Sequence, residues 1–214
     1  MELSEVMPRS TSITVTGLLG TYEDCVAWLS KPQNLEGLSF ITFLWMGNSI
    51  ANFSRHSEAS AFLARFKSAC QLSHIRCNFI LSTDICQQEC KINNAYDLEK
   101  FELRHWLLYG LTHANAVLGR QIFRFEEWKI ETEFDPQEHN LHTYYTALCD
   151  INLKVGNCPP IVFGKGTRVR IITSGKWSEE IMDEICKDAA LRIQQRWKDE
   201  SDSYCIYLLS AVGR

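Results

Sequence analysis

Several features that would announce a function are missing from this chain of 214 residues. No apolar run approaches the roughly 20 residues needed to cross a bilayer, so a membrane-spanning role is not expected. The amino terminus MELSEVMPRS lacks the basic-then-apolar layout of a secretory leader, which predicts a cytoplasmic protein. Charge of one sign is also scarce: the formal net charge is −4 and the lysines and arginines are scattered. The electrostatic footprint of a phosphate-backbone binder is absent, and nucleic acid is not an expected partner. Nine cysteines are present, but the number is odd, the chain is not small, and no paired Cys spacing recurs. A disulfide framework or a metal site is therefore not expected, and the thiols read as buried or incidental. The six histidines form no triad-like grouping. Repeats and low-complexity tracts are absent.

What is present is an ordinary globular composition, with 45% hydrophobic residues, enough for one large domain or a domain with an appended lobe. The stretch Leu38 to Arg55, LSFITFLWMGNSIANFSR, carries the clearest signal. Its apolar run lacks alternation, which predicts a strand buried on both faces, as in the middle of a parallel α/β sheet. It ends in Gly47, Asn48 and Ser49, with Asn52 just beyond. Ligands in such sheets collect at the carboxyl ends of strands, where small residues admit a close backbone approach and an Asn carboxamide both donates and accepts.

Around that stretch the pattern alternates strand and helix. Ser12 to Leu19 reads as a first strand, followed by a helix beginning at Glu23-Asp24. Leu38 to Met46 is the second strand, followed by a helix capped by Ser57 with Phe62, Leu63, Phe66, Ala69 and Cys70 at helical spacing. Asn78 to Ser82 is the third, ending at Thr83-Asp84. Three strands joined through helices predict a parallel sheet with right-handed crossovers. After about Cys90 the character changes. Leu98 to Leu118 reads as a long helix stopped by Gly119, and Ile122 to Ser174 alternates as a half-exposed antiparallel sheet does. Ser178 to Ala190 is amphipathic, and Arg192 to Trp197 and Tyr204 to Ser210 form a hairpin around KDESDS.

Eight segments, in register, carry a resemblance: GTYEDCVAWL, FLWMGNSIANFSR, STDICQ, NNAYD, YGLTHANAVLG, FRFEEW, ITSGKW and AALRIQQRWKDESDSYCIYLL. Together they resemble the S-adenosylmethionine-dependent amino-acid N-methyltransferases, the family that includes the histidine methyltransferase of ergothioneine biosynthesis. The resemblance is closer still to fungal dimethylallyltryptophan N-methyltransferases of alkaloid pathways. It implies an α/β, Rossmann-like class I methyltransferase fold using S-adenosyl-L-methionine as co-substrate, and a small-molecule amine or amino acid as substrate. It further implies a partial core over residues 1–90, an inserted α+β substrate lobe over 91–176, and a helix and hairpin over 177–214 that complete the core. No glycine-rich loop precedes Ser12, so the resemblance also implies that the first strands of the usual sheet are missing here.

Site residues follow from the same resemblance. Gly20, Thr21 and Tyr22 stand where the family contacts adenine, and Gly47, Asn48 and Ser49 begin the segment between cofactor and substrate. Asn52 matches the asparagine holding the substrate's α-amino group, Tyr96 a tyrosine at the amino-acid end of the pocket, and Ser174 a serine near the substrate's side chain. Histidine-specific members carry a glutamate two residues before that serine. This chain has Ile172, which favours an indole-like or apolar side chain over imidazole. Asp84, at a strand's carboxyl end, is the remaining candidate for stabilising charge or relaying a proton. Each residue also has a plainer reading: Asn52 as a turn residue, Asp84 as a cap, Tyr96 as packing, Ser174 as a strand-edge bond and the tryptophans as core. A second function class is a truncated, non-catalytic remnant that binds an amino-acid-like ligand or a partner protein through an exposed sheet edge.

Overall fold

The computed structural model describes residues 16–212. Helix α1 (Tyr22–Leu29) starts at a capping box: Thr21 Oγ1 accepts the Asp24 N–H, and the Asp24 carboxylate takes the Thr21 N–H at 2.8 Å. Strand β1 (Phe40–Trp45), helix α2 (His56–Leu72) and strand β2 (Arg76–Asp84) form a parallel crossover unit, with Phe40 opposite Arg76 and Trp45 opposite Leu81. Helix α2 begins at His56, one residue before the expected Ser57 cap, because the Glu58 carboxylate takes the Arg55 N–H.

Two elements sit differently from the sequence expectation. Of the strand expected over Ser12 to Leu19, residues 12–15 lie outside the described residues and residues 16–19 are irregular. Strand β1, expected in the middle of the sheet, occupies an edge among the described residues, and Phe40 and Leu44 are 43% and 69% exposed. An uninterrupted apolar run specifies what both faces of a strand favour, but it does not supply the neighbours that bury them.

The carboxyl-terminal hairpin completes the sheet. Strands β8 (Leu191–Lys198) and β9 (Tyr204–Ala211) pair antiparallel, and β9 runs antiparallel to β2, giving the order β1-β2-β9-β8. Phe79 and Leu81 of β2 and Tyr207 and Leu209 of β9 are completely buried against α2 and helix α5 (Glu179–Asp188), which Ser178 caps.

Between β2 and α5 lie helices α3 (Glu89–Ala95) and α4 (Phe101–Leu118) and an antiparallel sheet. Gly119 ends α4 in the left-handed conformation (φ 64°), as its position predicts. Just inside that end, buried Asn115 accepts the N–H groups of Ile122 and Phe123 and donates to the Phe123 carbonyl, so one carboxamide pins the connection into the sheet. The sheet orders β3 (Trp128–Asp135), β4 (Asn140–Ala147) and β7 (Arg168–Gly175), with a short hairpin of β5 (Ile151–Leu153) and β6 (Ile161–Phe163) beside it. Across β4 and β7, Thr143 faces Ile172 and Tyr144 faces Arg170, so Ile171 is the extra residue of a bulge. The bulge bends β7 just before Ile172 and Ser174. The end of β7 meets the turn after β1 and the carboxyl end of β2.

Candidate active site

The turn after β1 is built from two successive residues in the left-handed region, Gly47 (φ 73°) and Asn48 (φ 62°). Asn is one of the few residues with a side chain that tolerates this conformation. The Gly47 N–H donates to Ser82 Oγ on β2, and the turn sends the Asn48 carboxamide across the end of that strand. Asn48 Oδ1 accepts the Asp84 N–H at 2.9 Å, while Nδ2 donates to Ser174 Oγ and to the Gly175 carbonyl, each at 3.2 Å. A backbone N–H only donates and a carbonyl only accepts, so these contacts fix which end of the carboxamide is which.

Beside Asn48 lies Lys176, whose side chain is 1% exposed. Its ammonium contacts Asp84 Oδ2 at 2.8 Å, Tyr96 Oη at 3.0 Å and Ser174 Oγ at 3.2 Å, and lies 4.6 Å from the centroid of the Tyr96 ring. Tyr96 Oη and Ser174 Oγ are 3.3 Å apart. The second Asp84 oxygen accepts the Cys86 N–H at 3.0 Å. A buried ammonium is tolerated only with an anion and further acceptors, and here it has one anion and two hydroxyls. The Lys176 main chain is held as well, its N–H donating to the His139 carbonyl at 2.7 Å.

The structure thus brings together Asn48, Asp84, Tyr96 and Ser174 from four separate segments. Ile172 lies two residues before Ser174 on β7 and shares its face. Asn52 is elsewhere: it ends the short 3-10 turn Ser49–Asn52, is exposed, and lines a cleft of about 500 Å³ with Tyr22, Trp45, Phe53 and Phe62. Gly20, Thr21 and Tyr22 line an adjoining cleft of about 650 Å³ with Trp28. Thr21 Oγ1 is engaged in the cap of α1, and Ser49 Oγ donates to the Met46 carbonyl at 2.9 Å. Lys176 was not picked out from the sequence, although it sits inside ITSGKW. Its signal was a charge two residues beyond Ser174, at the end of a strand running into the core tryptophan Trp177.

The clefts can be compared with the needs of S-adenosylmethionine, whose adenosyl part requires flat apolar surface beside polar groups. The Tyr22 and Trp45 rings, 5.4 Å apart, pack with Phe62 at 5.2 and 4.7 Å and provide the first requirement. The Glu58 carboxylate on the same cleft provides the second, and the Arg55 side chain holds that carboxyl below its usual range. These residues fit the adenosyl portion. Among the described residues no glycine-rich turn leads from a strand of the β1-β2-β9-β8 sheet into a helix to hold the charged end.

Comparison with known proteins identifies relatives of this chain. The chain is 41% identical over 199 residues to the N-methyltransferase benX of Aspergillus terreus, covering 92% of this chain and 55% of that protein. It is 36% identical over 205 residues to the N-methyltransferase imqF of Aspergillus flavus, covering 95% and 54%. With the 4-dimethylallyltryptophan N-methyltransferase easF of Arthroderma benhamiae it shares 29% over 204 residues, covering 92% and 58%. The chain therefore spans a little over half the length of these relatives. Residues 1–211 match the family described as histidine-specific methyltransferase, SAM-dependent, and the chain belongs to that family.

Proposed function

We propose that this chain serves methyl transfer from S-adenosylmethionine to the amino group of an amino acid or amino-acid derivative, with a tryptophan-derived amine preferred over histidine. The observation that carries this reading is the convergence of Asn48, Asp84, Tyr96, Ser174 and Lys176 beyond the carboxyl end of β2, with the aromatic cleft of Tyr22 and Trp45 at the carboxyl end of β1. When bound, S-adenosylmethionine supplies an activated methyl group. Placing a neutral amine in line with that group is then the main task of the protein. Asn52 accepts an amine N–H without adding charge, and Tyr96 bonds the amino acid's carboxylate. Asn48 and Asp84 act as braces, since their polar groups already hold the end of β2, Ser174 and Lys176. Ile172, on the Ser174 face of β7, offers an imidazole no acceptor and suits an indole.

The test is transfer of isotopically labelled methyl from S-adenosylmethionine to L-tryptophan, its derivatives and L-histidine. Label incorporated into tryptophan-type amines ahead of histidine supports the reading, and incorporation into none of them refutes it. The outer edge of β1, unpaired among the described residues, favours a second reading, a non-catalytic chain that pairs with another polypeptide there. That reading predicts association dependent on Phe40 and Leu44 without turnover.

A further inference from the structure

Counting donors and acceptors in the buried cluster fixes the direction of its protons. The Lys176 ammonium has three N–H donors and meets three acceptors, Asp84 Oδ2, Tyr96 Oη and Ser174 Oγ. The Asn48 carboxamide has two N–H donors and meets Ser174 Oγ and the Gly175 carbonyl. Ser174 Oγ therefore receives two donors, from Lys176 and Asn48, and both its lone pairs are taken. Its own proton has Tyr96 Oη, at 3.3 Å, as acceptor. The phenol oxygen then accepts twice, from Lys176 and Ser174. Its O–H is left as a donor with no acceptor among the described residues, on a half-buried side chain.

We infer that Lys176 is a positioning residue, one that orders Ser174 and Tyr96 so that the Tyr96 hydroxyl presents a donor and selects an amine bearing a carboxylate over the same amine without one. The inference rests on the amino-acid reading proposed above. Selection works through the orientation of the hydroxyl rather than through net charge, because the Lys176 ammonium is matched by the Asp84 carboxylate at 2.8 Å. Without the ammonium, the Tyr96 O–H is free to turn inward to Ser174, and the outward donor is lost. An O–H donated to a carboxylate is a charge-assisted bond, stronger than a neutral one.

The experiment measures calorimetric binding of L-tryptophan and of tryptamine, which share indole and amine and differ in the carboxylate, to the full chain and its variants. The parent chain binds L-tryptophan about tenfold more tightly, as one charge-assisted bond predicts. Lys176→Met and Tyr96→Phe each bring L-tryptophan down to the level of tryptamine and leave tryptamine unchanged, and the double variant loses nothing more. Equal loss for both ligands, or a preference kept in Lys176→Met, overturns the inference. Lys176→Met combined with Asp84→Asn removes both charges and provides a second variant free of an unpaired carboxylate. A measurement without ligand separates the two claims: the carbon-13 resonance of the Tyr96 ring carbon bearing the hydroxyl moves in both lysine variants. If the parent chain binds neither ligand, the amino-acid reading fails, and this resonance alone decides the positioning role. An unmoved resonance overturns it.

Discussion

Asn48 Oδ1 accepts the Asp84 N–H at 2.9 Å, so one side chain in the turn after β1 holds the end of β2. Asn48→Ala removes that bond and two more, to Ser174 and Gly175, and leaves a β-carbon in the left-handed region. The expected cost is about 2–4 kcal/mol. Asn48→Gly relieves the backbone but restores no bond, and recovers about 1 kcal/mol of that loss. Urea denaturation of the three proteins checks the order, and an Ala variant as stable as the parent contradicts the bracing role.

Gly175 lies under the indole of Trp177. A β-carbon added there would meet Trp177 Nε1 at 2.2 Å and Cε2 at 2.5 Å. Trp177 is completely buried, and its ring packs edge-on against His56 at 5.1 Å, so it has little room to retreat. Gly175→Ala is expected to cost about 3 kcal/mol, the upper end of typical overpacking. For a chain of this size that corresponds to a fall in Tm of about 6–12 °C. A Tm equal to the parent's would show that the strand end can shift.

The pair of Asp84 and Lys176 is expected to behave asymmetrically in a double-mutant cycle. Asp84→Asn leaves a buried ammonium without its anion and destabilises the chain by about 3–5 kcal/mol. Lys176→Met costs less, because the Asp84 side chain remains 27% exposed to solvent. The double variant is more stable than Asp84→Asn alone. Strict additivity would mean that the two charges do not support each other.

The β8–β9 hairpin carries an acid-sensitive joint at Asp199. The Ser201 hydroxyl and then the Tyr204 and Ser203 N–H groups hold its carboxyl down at about 2, against an ordinary 3.8. A carboxyl depressed in the folded state stabilises above its unfolded value and loses that contribution as pH falls through the folded one. The stability difference between the parent and Asp199→Asn is therefore expected near neutral pH, to shrink below about 3.8, and to be lost only as the pH falls through about 2. Equilibrium unfolding as a function of pH checks it. A difference that does not change with pH contradicts the assignment.

Elements set by local chemistry were legible in the sequence. Gly119 marked the end of α4, Ser178 the start of α5, and KDESDS the turn between β8 and β9, because caps and turns are decided within a few residues. The place of β1 in the sheet was not legible, since Leu44 and Phe40 describe the strand's own faces and carry no information about its neighbours. The site was half legible. The resemblance selected Tyr96, Ser174, Asp84 and Asn48, which the structure brings together, and Asn52, which lines the cleft beside Trp45 instead. Asn48 joins the cluster because the left-handed turn at Gly47 and Asn48 sends its carboxamide across the end of β2. Lys176 escaped notice because its partners at positions 84 and 96 are remote in sequence and meet it only in the folded chain.

The central claim is that an amino acid is held at the Tyr96–Ser174–Lys176 cluster. Its most direct test is a titration of the isotopically labelled chain with L-tryptophan, followed by amide resonances in NMR. The account predicts saturable shifts centred on Asp84, Tyr96, Ser174 and Lys176, with the midpoint raised about tenfold in Tyr96→Phe. Shifts confined to other surfaces, such as the β8–β9 hairpin, or no shifts at saturating ligand, would contradict it.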